Sequence, residues 1–328
     1  MAERLVHLRI RREDGPNQPQ TRRWEEFKVP YLSQMNVISA LQQIQKKPVT
    51  ADGKEVAPVA WESSCLEEVC GACTMVINGR VRQACSALID DIAPNGETIT
   101  IEPMSKFPVV RDLAVDRSKM FEDLKHVRAW IHIDGTHELG PGPRESGEDQ
   151  QVRYALSRCM TCGCCLEACP QVGGTKFIGP AAVNQVRYFN MHPSGKMHAS
   201  ERLESMMGEG GVTDCGKAQN CVEVCPKEIP LVDSISVVNR DTTKRLLFGW
   251  LLKSLPRTGQ SRTESSASLP SATSTASIAP SGRGERLERT RAPSPVGRIH
   301  TRYEVRRPLP AAIERSCATT SPMRPWRV

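Results

Sequence analysis

The sequence predicts an α+β chain, in which a small mixed sheet packed on one helix is followed by an all-helical half. Three observations predict it. Before residue 105 apolar and polar residues alternate in short runs, and Asn78-Gly79, the strongest short-range hairpin signal, separates two of them. From Val152 the apolar spacing turns helical. All but one of the 13 cysteines fall into three groups, and two of these groups end in a proline that a helix cannot continue through. At 328 residues the chain has room for two domains with cores of their own.

The elements follow in order. Leu5–Ile10 puts Val6, Leu8 and Ile10 on one face, and Arg23–Val29 alternates more loosely. A Gly/Pro/Asn/Gln stretch separates them, which predicts two strands and a loop. Val37, Leu41 and Ile44 have helical spacing, with Asn36 as N-cap and Lys46-Lys47-Pro48 as the stop. Thr74–Ile77 and Val81–Gln83 flank the Asn78-Gly79 turn, and Thr98–Glu102 supplies a last strand. Four or five strands on one helix make a β-grasp arrangement, assigned to residues 1–105.

Inside that domain lies Cys65-x4-Cys70-x2-Cys73-x11-Cys85. This is the plant-type [2Fe–2S] spacing, in which a tight loop supplies three thiolates and a distant residue the fourth. Gly71 and Ala72 leave room for backbone N–H groups to approach the sulfides, and the hairpin returns the chain to Cys85. Zinc is the alternative, but a structural zinc site typically takes two close cysteine pairs.

Residues 106–150 are expected to be a connector rich in charge, Pro and Gly, centred on Gly140-Pro-Gly-Pro143. Within it Met120–Ile133 fits either a helix or an extended segment. Residues 151–250 form the helical domain, with Tyr154–Ala168 leading into the second cysteine group and helices over Ala181–Phe189 and His198–Met207. The second group is Cys159-x2-Cys162-x2-Cys165-x3-Cys169-Pro170, the bacterial ferredoxin run. In such a run three cysteines hold one cluster and the fourth reaches across to another. The third group, Cys215, Cys221, Cys225 and Pro226, repeats this spacing with Ala218 where the second cysteine belongs.

Counting thiolates then separates the clusters. Cys159, Cys162, Cys165 and the crossing Cys225 suffice for [4Fe–4S]. Cys215, Cys221 and the crossing Cys169 leave one cubane corner without a ligand, so the expectation is [3Fe–4S]. Cys164 is left over and is read as a small buried side chain. Pro170 and Pro226 stop the local helices after each run.

Several function classes find no support. The formal charge is +7, but the basic excess is confined to residues 251–328, so the rest gives no argument for nucleic acid. Met1–Arg12 has no apolar core of signal-peptide length, and the longest apolar candidate, Leu246–Leu252, falls far short of a membrane span. Thirteen cysteines without such a signal predict a reducing compartment, and metal rather than disulfides. Gly208-Glu-Gly210-Gly-Val-Thr213 lacks the third glycine of a dinucleotide fingerprint, no P-loop occurs, and the 7 histidines are scattered. No catalytic residue is expected, and the chain is read as one that moves electrons. Arg80 and Arg82 flank the hairpin before Cys85; they either raise the potential of its cluster or are solvated strand residues, and solvation is the expectation.

Cys65-Leu-Glu-Glu-Val-Cys-Gly-Ala-Cys73, Lys176-Phe-Ile-Gly-Pro-Ala-Ala182 and Cys221-Val-Glu-Val-Cys-Pro-Lys227 resemble the iron–sulfur subunits of succinate dehydrogenase and fumarate reductase. The resemblance spans about residues 4–250. It implies a FAD-bearing flavoprotein partner, a membrane cytochrome b anchor, and a peripheral place on the cytoplasmic face of the cell membrane. Electrons would pass from flavin to the Cys65, Cys159 and Cys215 groups in turn, then to quinone. Succinate oxidation is the leading reading; fumarate reduction uses the same wire reversed, and a free-standing ferredoxin-type carrier is the alternative from another class. Pro170 is retained at the expected quinone vicinity. Gly174 and Gly216 stand where ubiquinone-linked relatives carry Trp and His, which resembles the menaquinone-linked branch with a two-haem anchor.

Residues 251–328 lie beyond the resemblance. From Ser254 the chain is rich in Ser, Thr, Pro and Arg without Lys or Asp, and is expected to be a disordered, aberrant or frameshifted end in which Cys317 is unliganded. A basic tail touching anionic lipid is the rival reading.

Overall fold

A computed structural model describes residues 4–16, 18–131 and 144–254, with side chains to residue 249. The sheet comprises β1 (Leu5–Arg12), β2 (Arg23–Pro30), β3 (Thr74–Ile77), β4 (Arg80–Gln83) and β5 (Ile99–Glu102). Its order is β2-β1-β5-β3-β4, with β1 and β5 parallel and the other pairs antiparallel. Alternation carries Val6, Leu8 and Ile10 to the buried face, where Leu8 pairs with Phe27 on one side and Ile99 on the other. Helix α1 (Val37–Lys46) covers that face with Val37, Ile38, Leu41 and Ile44. Asn36 caps it, Oδ1 accepting from Ser39 N at 2.9 Å. A mixed sheet under one helix is the predicted first half. A short helix, α2 (Ile89–Ile92), precedes β5.

The stretch 106–150 is more structured than its composition suggests. It holds a small hairpin of β6 (Val109–Arg111) and β7 (Ala114–Val115), then α3 (Ser118–His126), which places the described part of Met120–Ile133 mostly in a helix. Asp112 at the hairpin turn is fully buried and accepts from Arg12 Nε at 2.7 Å and Ala60 N at 2.9 Å. Arg12, buried in β1, also donates to Glu25 Oε2 at 2.6 Å and Ala57 O at 3.0 Å. Buried charges persist only when paired and hydrogen-bonded, so this knot staples the hairpin to the sheet. Phe107, Val115, Met120 and Val127 belong to the core of the helical half. The Gly140-Pro-Gly-Pro143 centre and everything from residue 255, Cys317 included, lie outside the described residues.

The helical half runs α4 (Gly147–Ser157), α5 (Cys164–Glu167), α6 (Pro180–Met191), α7 (Ala199–Met207), α8 (Asn220–Glu223) and α9 (Leu231–Ser254). Leu156, Leu166, Val183, Val186, Met206 and Val238 are buried together in its core. The expected helical approach over Tyr154–Ala168 is broken: α4 stops at Ser157 and α5 begins at Cys164. On one continuous helix Cys159 and Cys165 would stand about 9 Å apart along the axis, too spread for one centre. The left-handed backbone at Thr161 and Gly163 folds the run back on itself instead. Helix α9 went unforeseen, because its buried Leu231, Ile235 and Val238 are followed by exposed Leu246, Leu247 and Phe248, which blur the period. No helix among the described residues is long and apolar enough to cross a membrane.

Candidate metal centres

The first cysteine group occupies the loop between α1 and β3 and the end of β4. Leu66, Glu68 and Gly71 adopt positive φ, which turns successive N–H groups inward. Cys65 Sγ receives N–H groups of Val69 and Cys70 at 3.3 Å and of Glu67 at 3.4 Å; Cys70 Sγ receives Ala72 N at 3.4 Å and Cys85 Sγ receives Glu68 N at 3.3 Å. These bonds hold the Cys65 thiol down to about 7, Glu67 N–H contributing most. Cys73 is buried, and desolvation pushes it up to about 12. Asn36, the cap of α1, also donates Nδ2–H to Cys85 O at 2.9 Å, so helix and fourth cysteine are placed together. A shell of N–H donors around four thiols suits an anionic [2Fe–2S] group.

In the second and third groups the two runs repeat each other in backbone as well as spacing. Thr161 and Gly163 around Cys162 have φ of 51° and 89°, and Lys217 and Gln219 around Ala218 have 58° and 66°. Each run then enters a single helical turn, α5 or α8, and leaves it before its proline. Cys159, Cys162, Cys165 and Cys225 line one narrow cavity of about 20 Å³, with Cys164, Ala181, Ile229 and Leu231. Burial, then the neighbouring thiols Cys162, Cys159 and Cys225, drive Cys165 well upward. Thiols crowded into one buried cavity fit a cationic iron core that takes their protons' place.

Cys169, Cys215 and Cys221 line a second, open cavity of about 500 Å³, and Ala218 lines it with them. Burial, then Cys169 and Cys215, push Cys221 up to about 11. Pro170 and Gly216 border the same space, while Gly174 does not. A Cβ at Gly216 would come within 2.4 Å of Gln171 Nε2, so Gln171 fills the room a side chain there would need. Cys164 is fully buried beside Val81, and Gln83 Nε2 lies 3.6 Å from its sulfur.

Several residues at these centres carry no motif. Lys106 Nζ donates to Leu166 O at 3.4 Å and to Cys169 O, while Glu167 accepts from Ser105 Oγ at 2.7 Å and Lys106 N at 3.1 Å. This clasp holds α5 from the N-terminal side of the chain and sets a cation beside Cys169. Arg80, expected to be a solvated strand residue, is exposed on β4 and donates to Glu223 O in α8 at 3.0 Å. Arg82 is half-buried, and desolvation lowers its pKa.

Comparison with known proteins agrees with this layout. Residues 7–122 match the family described as 2Fe-2S iron-sulfur cluster binding domain, and residues 155–229 the 4Fe-4S dicluster domain. The chain is 59% identical over 219 residues to the succinate dehydrogenase iron-sulfur subunit of Bacillus subtilis, covering 66% of this chain and 85% of that one. It is 30% identical over 244 residues to the fumarate reductase iron-sulfur subunit of Wolinella succinogenes, covering 72% and 97%. In fold it is similar to a chain of the Mycobacterium smegmatis Sdh1 complex in the apo form, with a TM-score of 0.60, 24% identity, and 74% and 98% covered.

Proposed function

Because the chain belongs to the family of succinate dehydrogenase and fumarate reductase iron–sulfur subunits, we propose that its three thiol sets carry electrons in series between a flavoprotein and a membrane quinone. It is the iron–sulfur subunit of a succinate:quinone oxidoreductase, with [2Fe–2S], [4Fe–4S] and [3Fe–4S] clusters. The greater likeness to the succinate dehydrogenase relative favours succinate oxidation over the reverse direction. Bound clusters supply one-electron acceptance and release; the chain's own residues hold and insulate them.

The ligand sets we propose are Cys65, Cys70, Cys73 and Cys85 for [2Fe–2S]; Cys159, Cys162, Cys165 and Cys225 for [4Fe–4S]; and Cys169, Cys215 and Cys221 for [3Fe–4S]. The observation that carries this is the backbone repeat of the two runs, in which Ala218 takes the place of Cys162 and Cys225 and Cys169 cross to each other's cavity. The N–H shell of the first loop stabilises thiolate charge there, and Cys165 of the second set is buried among its neighbouring thiols. Residues 1–105 and 151–250 would be the two cluster domains, and 251–328 an aberrant end.

The flavoprotein and the membrane anchor are the partners that family membership brings, and the chain is peripheral on a membrane through that anchor. Pro170 beside the third site would face the quinone. Gly174 and Gly216, in place of larger side chains, support menaquinone and a two-haem membrane cytochrome b anchor, and the chain itself would sit on the cytoplasmic face. Iron analysis of the anaerobically purified complex tests the ligand sets: two, four and three irons predict roughly nine Fe per chain. A stable content of six would mean that one set is misread.

A further inference from the structure

The first and second centres meet at a buried polar contact that no motif marks. Gly71, in the loop carrying Cys70 and Cys73, adopts φ +74, and a Cβ there would fall 2.7 Å from both Cα and Cβ of Cys162. The two loops therefore touch backbone to backbone, which only glycine permits. Thr74, 2% exposed, places Oγ1 at 2.8 Å from Gly71 O and 2.9 Å from Cys162 O, so its proton lies between the two loops. Gln83, fully buried on β4, donates Nε2–H to Thr74 Oγ1 at 2.6 Å. The same amide lies 3.5 Å from Cys73 Sγ and 3.6 Å from Cys164 Sγ. Arg117 closes the contact from outside, donating to Gly71 O at 2.5 Å and Ala72 O at 2.6 Å.

Packing alone does not call for these groups. An apolar pair of similar volume would fill the space between β3 and β4 without the cost of burying an amide and a hydroxyl. A satisfied buried network does what apolar packing does less well: it selects one arrangement and makes its neighbours rigid. Here the arrangement selected is that of Cys73 against Cys162, one proposed ligand from each of two successive clusters.

We infer that Thr74, Gln83 and Arg117 are positioning residues that lock the [2Fe–2S] loop onto Cys162, so that the first two clusters are held at one fixed separation. The inference rests on the ligand sets proposed above. Because Gln83 Nε2–H donates to Thr74 Oγ1, the single Thr74 proton is kept for the Gly71 and Cys162 carbonyls. The network also links a side chain in contact with a first-cluster sulfur to the carbonyl of a second-cluster ligand, a route by which one site's surroundings set the other's potential.

Thr74→Val keeps the shape and removes the hydroxyl, whereas Thr74→Ser keeps the hydroxyl. Both are made in the complete complex, loaded without air, and compared with the parent for iron content, for the magnetic interaction between the two reduced clusters by electron paramagnetic resonance, and for the [4Fe–4S] midpoint potential. T74V is expected to retain its iron, lose part of that interaction and shift the midpoint; T74S is expected to match the parent. A purely structural Thr74 would lower thermal stability without moving either reading. T74V with full iron and with parental interaction and midpoint would overturn the inference. Should T74V not load its iron, Gln83→Met is read in the same way, unchanged values overturning the inference and altered ones supporting it. A parent complex without a [2Fe–2S] signal would remove the ligand sets, and the contact's role with them.

Discussion

Ala218 is the residue on which the identity of the third centre turns. It faces the cavity lined by Cys169, Cys215 and Cys221, between two residues of positive φ, as Cys162 lies between Thr161 and Gly163. Ala218→Cys therefore puts a thiol at the open corner, and the site is expected to assemble as [4Fe–4S]. A fourth thiolate adds negative charge, so the potential falls and transfer to quinone slows while flavin-site turnover with an artificial acceptor survives. The readout is the paramagnetic resonance of the oxidised three-iron form, which the variant should lack; its full persistence with all clusters loaded would break the superposition of the two runs. Cys164, next to Cys165 and two positions from Cys162, shows the converse. Its sulfur is buried against Val81 and Gln83, and spacing alone already set it apart.

Among the elements, the β6–β7 hairpin does most for its length. Two short strands have little stability of their own, and this hairpin holds because Asp112 at its turn meets Arg12 of β1 with both side chains fully buried. Asp112→Asn leaves Arg12 with one carboxylate, Glu25, in a site closed to water. Breaking a buried pair from one side costs about 3–5 kcal/mol, which denaturant unfolding of the loaded protein would register. A loss under about 1 kcal/mol, the size found for exposed pairs, would mean that water reaches the knot. Helix α1 links fold to site in the same manner, since Asn36 caps it with one atom of its amide and holds Cys85 with the other.

For the molecule as a whole, the described residues hold two large apolar cores, one under the sheet and one among the helices, and a small apolar cluster of Val81, Cys162 and Cys164 that joins β4 to the second cysteine run. Polar contacts join these cores: Thr74 to Cys162, Arg80 to Glu223, and the Ser105–Lys106 clasp on α5. The basic segment from residue 255 lies outside the described residues, and every proposed ligand lies between Cys65 and Cys225. A chain stopped after Ser254 is therefore expected to keep its iron, its partners and its membrane recruitment. Loss of recruitment on truncation, measured as the share of chain sedimenting with membranes, would favour the basic tail acting on anionic lipid.

The spacing of the thiols, the two-part architecture and the open corner at Ala218 are all readable along the chain. Cluster ligation is mostly local, with three ligands of the first and second sets and two of the third drawn from short stretches, and hydrophobic period and turn chemistry are local as well. The resemblance to the family rests on these same short phrases. The connector's hairpin and α3, the knot of Arg12 with Asp112, Lys106 at Cys169, and the Thr74–Gln83–Arg117 contact were not readable. Their partners lie far apart in sequence, 100 residues for Arg12 and Asp112 and 88 for Thr74 and Cys162. A polar side chain bears no mark of which distant group will satisfy it. Only when the two cores close is water stripped from these groups, and burial then makes each partner obligatory.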